Sequence, residues 1–242
     1  MAAVMPEAVL HLAAPVEAGA SADRMAALRA GIVDAALSVA EATGRRGIPM
    51  LHVGTCAEYG RAPAPFKEDG IADPIDAYGK LKLEATLRMV AQPHITVVRP
   101  FRAIGPGDES SVVAAAARAA LAGDPFAMTT GEQRREWNHV DAIAEGILRA
   151  AAHPEAQGRL LNIGGGPVAS VLEAVRLVFA AAGADGGLIQ VGARPQRRGE
   201  IPLLAGDHSQ TVRLWQPLAQ PSFAETIQQA VLWMAERGEG AA

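Results

Sequence analysis

The sequence has little of what several protein classes require. Its 242 residues contain one cysteine, Cys56, which excludes an intramolecular disulfide and suits a reducing compartment. A net charge of -4 provides no basic surface for nucleic acid. No apolar run reaches the ~18 residues of a membrane span, and MAAVMPEAV lacks the basic start of a signal peptide. No His, Cys and carboxylate group has metal-ligand spacing. We therefore expect a cytoplasmic protein with no metal, membrane or nucleic-acid partner.

Strand and helix patterns alternate along the chain, which predicts a parallel sheet with helices on its faces. Apolar runs predict strands over 6–14, 49–54, 94–99 and 160–163. Capping residues and helical spacing predict helices over 21–43, 76–90, 110–122, 141–152, 170–182 and 222–237. The stretch 184–220 is rich in Gly, Pro and Arg and is expected to form a small lobe.

Tyr78 and Lys82 are the most chemically informative pair in the sequence. On a helix they lie one turn apart on the same face. A nearby lysine favours a phenolate and lowers the pKa of the tyrosine from about 10. Thr55 ends the preceding strand and offers a hydroxyl for a substrate oxygen. A structural interpretation competes, in which Tyr78 is an amphipathic anchor and Thr55 caps a turn.

Seven sequence blocks cover nearly the whole chain and resemble the extended short-chain dehydrogenase/reductases, the NAD-dependent epimerase/dehydratase family. They are HLAA (11–14), GTCAEYG (54–60), YGKLKLE (78–84), RPFRAIGPGD (99–108), REWNHVDAIAEGI (135–147), LNIGGG (161–166) and RRGEIP (197–202). The EYG ending and the last block are most similar to nucleotide-diphospho-4-keto-6-deoxyhexose reductases.

The resemblance implies roles for the residues in these blocks. Tyr78 would be the general acid/base, Lys82 would lower its pKa and hold the nicotinamide ribose, and Thr55 would orient the substrate. The implied cofactor-binding residues are Ala13, Ala14, Tyr78, Lys82, Pro100 and Phe101. The implied substrate-binding residues are Thr55, Arg102, Arg135 and Arg197. Arg102 departs from the family, which usually has asparagine at this position.

Two further positions bear on the type of reaction. Cys56 and Ala57 occupy positions where related sugar 4,6-dehydratases carry an acidic pair. Because elimination needs an acid and a base, this difference argues against a dehydratase. Glu58 is expected to be a structural turn residue.

The chain lacks the strand, Gly-x-x-Gly-x-x-Gly turn and helix with which this family begins. That turn holds the cofactor pyrophosphate at a helix N-terminus, so binding of NAD or NADP is expected to be compromised. Two explanations remain open, a fragment of a longer protein and a genuine short variant, and we favour the fragment.

The sequence thus predicts an α/β protein with an N-terminally truncated Rossmann-type parallel sheet and a small C-terminal substrate lobe. We expect one domain over 1–242, with substrate-side elements mainly within 108–136 and 164–220. The expected function is an NAD(P)-dependent reductase or epimerase of a nucleotide-activated sugar. The alternatives are a cofactor-free lyase, isomerase or cyclase, and a catalytically silent sugar-nucleotide-binding protein.

Self-association is a further expectation. The strand at 8–12 should form a sheet edge with no lysine or proline to protect it. We expect a homodimer, or aggregation, through this edge. The dimer that the resemblance implies, built from the helices at 21–43 and 77–90, would be a separate interface.

Overall fold

A computed structural model describes residues 6–15, 22–196 and 199–239, and in these the chain divides into two compact units. The first unit comprises Met1–Pro100, Glu145–Ile163 and Gly206–Pro217. The second comprises Phe101–Ala144, Gly164–Ala205 and Leu218–Ala242.

The strands and helices follow in chain order. The strands are β1 (Val9–His11), β2 (Met50–Val53), β3 (Ile95–Pro100), β4 (Ala103–Ile104), β5 (Phe126–Met128), β6 (Arg134–Glu136), β7 (Asn138–His139), β8 (Leu160–Ile163), β9 (Val168–Ser170), β10 (Ile189–Val191) and β11 (Leu203–Leu204). The α-helices are α1 (Ala22–Arg29), α2 (Ala35–Gly44), α3 (Ala77–Met89), α4 (Val112–Ala122), α5 (Val140–Ala152), α6 (Val171–Ala181), α7 (Ser209–Trp215) and α8 (Phe223–Glu239). A π-helical turn spans Ala30–Asp34, and 3-10 turns span Cys56–Glu58, Pro154–Ala156 and Gly186–Leu188.

The first unit is built on a parallel sheet with the strand order β1-β2-β3-β8. The two central strands are almost entirely buried, as strands covered on both faces should be. On one face, Met50 and Val97 pack with Ala36 of α2 and Met89 of α3. The predicted parallel sheet flanked by helices is confirmed.

The first strand is shorter than the sequence predicted. The apolar run suggested 6–14, whereas β1 covers only Val9–His11, paired with Met50–His52. An edge strand acquires ladder hydrogen bonds only where its neighbour runs alongside it, and β2 itself has four residues. The apolar run therefore predicted that a strand exists here, but it did not predict the residues at which the strand begins and ends.

The predicted helix over 21–43 is interrupted, and Ser21, its predicted first residue, lies outside the described residues. The π-helical turn separates α1 from α2 and buries Ile32 and Val33 against Leu81 of α3. Gly31 permits this packing, because a Cβ at that position would lie 2.7 Å from the Pro15 side chain. A regular helix pattern in the sequence does not reveal such a local widening.

The second unit has a helical core and small sheets. Helices α4, α6 and α8 pack together, and Phe179, Trp137 and Ile227 are among the large side chains buried there. The sheets pair β4 with β7, β5 with β10, and β6 with both β9 and β11. The sequence predicted none of these strands, because runs of two or three residues carry no alternation that pattern analysis can detect.

Candidate active site

The candidate site in the first unit lies where the parallel strands end, the usual edge for ligands in such sheets. Thr55 follows β2 in extended conformation and caps the 3-10 turn Cys56–Glu58. Its hydroxyl oxygen accepts a hydrogen bond from the Ala57 N–H at 3.2 Å. Since a hydroxyl also has one hydrogen to donate, capping and contact with a substrate oxygen are compatible. The two interpretations of Thr55 therefore do not exclude each other.

Helix α3 presents Tyr78 and Lys82 one turn apart, as their spacing predicted. The helix begins after Asp76, whose carboxylate accepts from the Gly79 N–H at 2.7 Å. Gly79 allows the helix to approach the Thr55 turn, because a Cβ there would lie 2.8 Å from the Ala57 carbonyl oxygen. The glycine between tyrosine and lysine thus brings both close to the end of β2.

Lys82 is 2% exposed, and its ammonium donates to the Val53 carbonyl oxygen at 2.5 Å. Burial lowers the pKa of Lys82, and the nearby negative charge of Glu58 opposes that shift. The lysine is therefore fixed at the carboxyl end of β2, next to the segment that carries Thr55.

Tyr78 is half-buried and packs against the apolar cluster that includes Leu28, Ile32 and Leu81. Burial is the largest cause of a raised pKa for Tyr78, followed by the charges of Glu58 and Cys56. The expectation of a lowered pKa is wrong for this arrangement, because an apolar surrounding and nearby negative charge both disfavour a phenolate. These effects favour the neutral phenol of Tyr78 over its phenolate.

Two histidines that the sequence analysis did not single out line the neighbouring strands. His11 and His52 are paired across β1 and β2, with their rings stacked at a centroid distance of 5.2 Å. Burial, followed by the charge of Lys82, lowers the pKa of His52 to about 3. The strand face beside Lys82 is therefore lined with neutral imidazoles.

The other residues expected at the cofactor are placed as follows. Ala13 is exposed and Ala14 half-buried just after β1, and Ala14 packs against the same cluster as Tyr78. Pro100 is the last residue of β3. Phe101 is buried and is the first residue of the second unit. The structure brings Ala14 and Tyr78 to one cluster in the first unit, whereas Phe101 belongs to the second.

The second unit contains a cavity of about 360 Å³ that is rich in arginine. Its lining includes Arg102, Arg135 and Arg194, with the hydroxyls of Ser110 and Ser111. The guanidinium carbon of Arg102 lies 5.7 Å from the centre of the Trp137 ring. Arginine forks are well suited to phosphate oxygens. Of the expected substrate residues in this unit, Arg102 and Arg135 share this cavity, and Arg197 lies outside the described residues.

The Arg135 side chain is buried and held by hydrogen bonds and an ion pair. Its guanidinium donates to the Ile201 carbonyl oxygen at 2.8 Å and forms an ion pair with Glu200. Gln133, which the sequence analysis missed, lines the same cavity, and its buried Oε1 has no hydrogen-bond partner among the described residues. A bound hydroxyl group would satisfy that acceptor, because a buried acceptor is costly to leave unpaired.

The comparisons with known proteins agree with this geometry. The profile of the NAD dependent epimerase/dehydratase family matches residues 1–164. The chain belongs to this family. It is 29% identical over 224 residues to GDP-6-deoxy-D-mannose reductase from Pseudomonas aeruginosa, an alignment that covers 85% of this chain and 72% of that protein. The family assignment made from the sequence blocks is confirmed.

Two solved structures show the same fold. UDP-glucuronic acid 4-epimerase from Bacillus cereus, in complex with UDP-glucuronic acid and NAD, superimposes with a TM-score of 0.86 at 20% identity. That match covers 95% of this chain and 76% of the epimerase. RMD from Pseudomonas aeruginosa, complexed with NADPH, gives a TM-score of 0.84 at 23% identity and covers 96% and 82% of the two chains.

For a member of the NAD-dependent epimerase/dehydratase family, part of a cofactor site is recognisable in the first unit. The Tyr78 hydroxyl and the Lys82 ammonium suit the hydroxyls of a ribose. A pyrophosphate needs a different feature, and the 242 residues contain no Gly-x-x-Gly-x-x-Gly sequence. The described residues thus offer polar groups suited to the hydroxyls of a nicotinamide ribose, and the given sequence contains no such turn for a pyrophosphate.

Two other kinds of site are absent from the described residues. Within the part of the chain that the structure describes, no group of three or more His, Cys, Asp or Glu side chains is arranged to hold a metal ion. In the same residues, no helix is long and apolar enough to span a membrane.

Proposed function

We propose that this chain acts as an NAD(P)-dependent reductase or epimerase of a nucleotide-activated sugar, with a 4-keto-6-deoxy sugar as the preferred substrate. The observation that carries the proposal is the arrangement of Tyr78 and Lys82 on one face of α3, beside the strand end that bears Thr55. The similarity to GDP-6-deoxy-D-mannose reductase supports a reductase that acts on this class of sugar.

Proton transfer in this proposal is performed by Tyr78. When bound, a nicotinamide supplies or accepts a hydride at the carbon that is reduced or oxidised. In the direction of reduction, the Tyr78 hydroxyl gives its proton to the ketone oxygen as the carbon gains the hydride, which yields an alcohol and a phenolate. The Lys82 cation stabilises that phenolate, and water then returns the proton. In oxidation, the phenolate takes the proton of the substrate hydroxyl.

Thr55 has the role of orienting the substrate oxygen. Its hydroxyl oxygen is held by the Ala57 N–H, so the hydroxyl hydrogen is the part left to point toward a ligand. A hydrogen bond from Thr55 would polarise a ketone in the same way as the proton of Tyr78. Orientation of this kind accelerates a reaction by fixing reacting groups before the barrier is crossed.

The cavity of the second unit is proposed to bind the nucleotide diphosphate. Arg102 and Arg194 supply positive charge at its wall, and the Glu200 carboxylate holds Arg135 in place. Gln133 offers an acceptor for a ribose or sugar hydroxyl. In this proposal Arg197 contributes a further cation, as the family resemblance implies.

The sequence also supports a second candidate function. Without a Gly-x-x-Gly-x-x-Gly turn in its 242 residues, the chain would bind a dinucleotide weakly and act as a sugar-nucleotide-binding protein. A cofactor-free lyase, isomerase or cyclase that uses Tyr78 and Thr55 is a third.

One assay separates these functions. The purified chain is incubated with NADH or NADPH and with GDP-, UDP- and dTDP-linked 4-keto-6-deoxy sugars, while absorbance at about 340 nm and the sugar products are followed. A reductase consumes reduced cofactor and forms the deoxyhexose in equal amounts, whereas an epimerase, tested with NAD and the corresponding alcohols, forms an epimer without net consumption. Products formed without added cofactor would indicate cofactor-free chemistry, and binding without product would indicate the binding protein.

A further inference from the structure

The carboxylate of Glu58 is 0% exposed, which is unusual for a charged group. Its Oε1 accepts from the Thr55 N–H at 2.9 Å and from the Thr86 hydroxyl at 3.1 Å. Its Oε2 accepts from the Arg99 Nε at 2.7 Å. Three donors from three parts of the first unit therefore converge on one side chain.

The negative charge of Glu58 is fixed by a buried partner. Arg99 is 2% exposed, and its guanidinium carbon lies 4.4 Å from the centre of the Tyr59 ring. A buried ion pair stabilises a fold little, because both charges lose their hydration, although removing one partner alone is strongly destabilising. Its contribution to stability therefore does not by itself account for a charge at this position.

The position of Glu58 relative to α3 indicates a role. Tyr78, Lys82 and Thr86 follow one another at intervals of one turn and form a single stripe on α3. The Oε1 atom contacts the end of this stripe at Thr86 and also the backbone of Thr55. One oxygen atom thus links the strand end that carries Thr55 to the helix face that carries the proposed acid.

We propose that Glu58 is the positioning residue of the candidate active site: its carboxylate sets the separation between Thr55 and the helix face that carries Tyr78 and Lys82, and it brings a buried negative charge to that face. This inference rests on the proposed function for the roles of Tyr78 and Thr55. The hydrogen bonds of the Glu58 carboxylate, on which it depends, are observed whether or not that function is correct.

The charges around the site make the second part of the proposal measurable. Burial is the main cause of the raised pKa of Tyr78 and of the lowered pKa of Lys82, and in each case the charge of Glu58 acts to raise the pKa. Cys56 and Asp76 also face Tyr78 and act in the same direction. Arg99 pairs with Glu58, and the neutral His11 and His52 face Lys82. If Glu58 loses its charge, the pKa of Tyr78 should fall.

A spectroscopic titration tests this without any substrate, because the protein has only two tyrosines. Phenolate absorbance at about 295 nm is followed from about pH 8 to 12, and the curve of Tyr78→Phe is subtracted to isolate Tyr78. Burial raises the pKa of the other, Tyr59, to about 12. Circular dichroism at each pH defines the range in which the protein stays folded.

Three variants are compared with the wild type. Glu58→Gln keeps an acceptor but loses the charge, and it should lower the Tyr78 midpoint by more than any change seen in the control. Thr86→Val keeps the charge but loses the contact with α3, and it should leave the midpoint unchanged while reducing kcat about tenfold with little change in KM. The control Glu84→Gln removes a partly exposed carboxylate from the same helix and should leave the midpoint within about 0.2 units of wild type.

Each outcome supports or contradicts the positioning role of Glu58. A folded Glu58→Gln protein with the wild-type midpoint would show that Glu58 is only a turn-capping residue. If Glu58→Gln does not fold, hydrogen exchange in Thr86→Val replaces it: faster exchange at 55–58, with α3 unchanged, supports the proposal, and unchanged exchange overturns it. A wild type that turns over no substrate contradicts the proposed function, while the titration and the exchange still test the role of Glu58.

Discussion

The Nδ1 atoms of His11 and His52 lie 3.1 Å apart, and both imidazoles are buried in adjacent strands of the parallel sheet. One of the two nitrogens must donate and the other accept. Burial, followed by the charge of Lys82, lowers the pKa of both histidines. The pair is therefore stable only while at least one of its rings is neutral.

This relationship predicts a specific sensitivity to acid. An unfolded His52 binds a proton below about pH 6.5, whereas the folded one does so only near its pKa of about 3. The unfolded state thus binds more protons in this window, so stability is retained above pH 6.5 and falls as the pH is lowered toward 3. At about pH 4.5 the His52 contribution corresponds to about 3 kcal/mol.

The variant His52→Leu should lose this part of the pH dependence. Urea unfolding between about pH 7 and 4.5 is the measurement, with Met50→Leu as a control from the same strand that keeps the histidine pair. A His52→Leu protein whose stability falls with acid as steeply as that of the control would contradict the assignment.

Tyr78 is predicted to be the proton donor. Tyr78→Phe should reduce turnover at least ~10²-fold, the usual contribution of general acid/base catalysis, with a much smaller change in substrate affinity. Steady-state kinetics provide the measurement. Full turnover by the phenylalanine variant would exclude Tyr78 from the chemistry.

The binding groups of the chain predict which of two ligand classes, nucleotide sugars or dinucleotides, it prefers. We expect it to bind a nucleotide sugar more tightly than NAD(H) or NADP(H), because the arginine cavity is present and a Gly-x-x-Gly-x-x-Gly turn is not. Isothermal titration calorimetry against both ligand types is the measurement.

Arg135 provides the matched comparison for that experiment. Arg135→Gln should weaken binding of the nucleotide sugar about tenfold or more, since a charge-assisted contact is lost. Arg134→Gln alters an exposed neighbour on β6 and should bind normally. Submicromolar binding of the dinucleotide without binding of the sugar nucleotide would reverse the expected preference.

The edge of the sheet is predicted to mediate self-association. Among the described residues, β1 is paired on one side only. Leu10, within the strand, and Leu12, just after it, are 38% and 59% exposed. An apolar edge strand of this kind readily pairs with another chain. Light scattering should show a dimer or larger species that Leu10→Lys or Leu12→Lys shifts toward monomer.

Leu87→Lys is the control for that measurement, because Leu87 is 60% exposed and belongs to α3 instead of the edge strand. If Leu87→Lys dissociates the protein and the edge variants do not, the interface is formed by the helices. A monodisperse wild-type monomer would mean that neither surface associates.

The amino-acid sequence by itself determined the local features of this protein. Tyr78 and Lys82 share a helix face because they are one turn apart, and Ser111 and Ser170 cap α4 and α6 because their side chains reach N–H groups within three residues. The apolar central strands likewise identified a parallel sheet. Each of these depends on neighbours along the chain, which the sequence displays directly.

Tertiary structure alone decided the electrostatics of the site. Glu58 and Arg99 are separated by 41 positions, and Arg135 and Glu200 by 65, so no spacing rule pairs them. The Thr55-x-x-Glu58 sequence does match a capping box, but it gives no indication that the carboxylate also contacts Thr86 and Arg99. The pKa of Tyr78 rises instead of falling because burial and nearby charge set it. The ion pairs and the pKa of Tyr78 all depend on which residues, distant in sequence, the fold brings together.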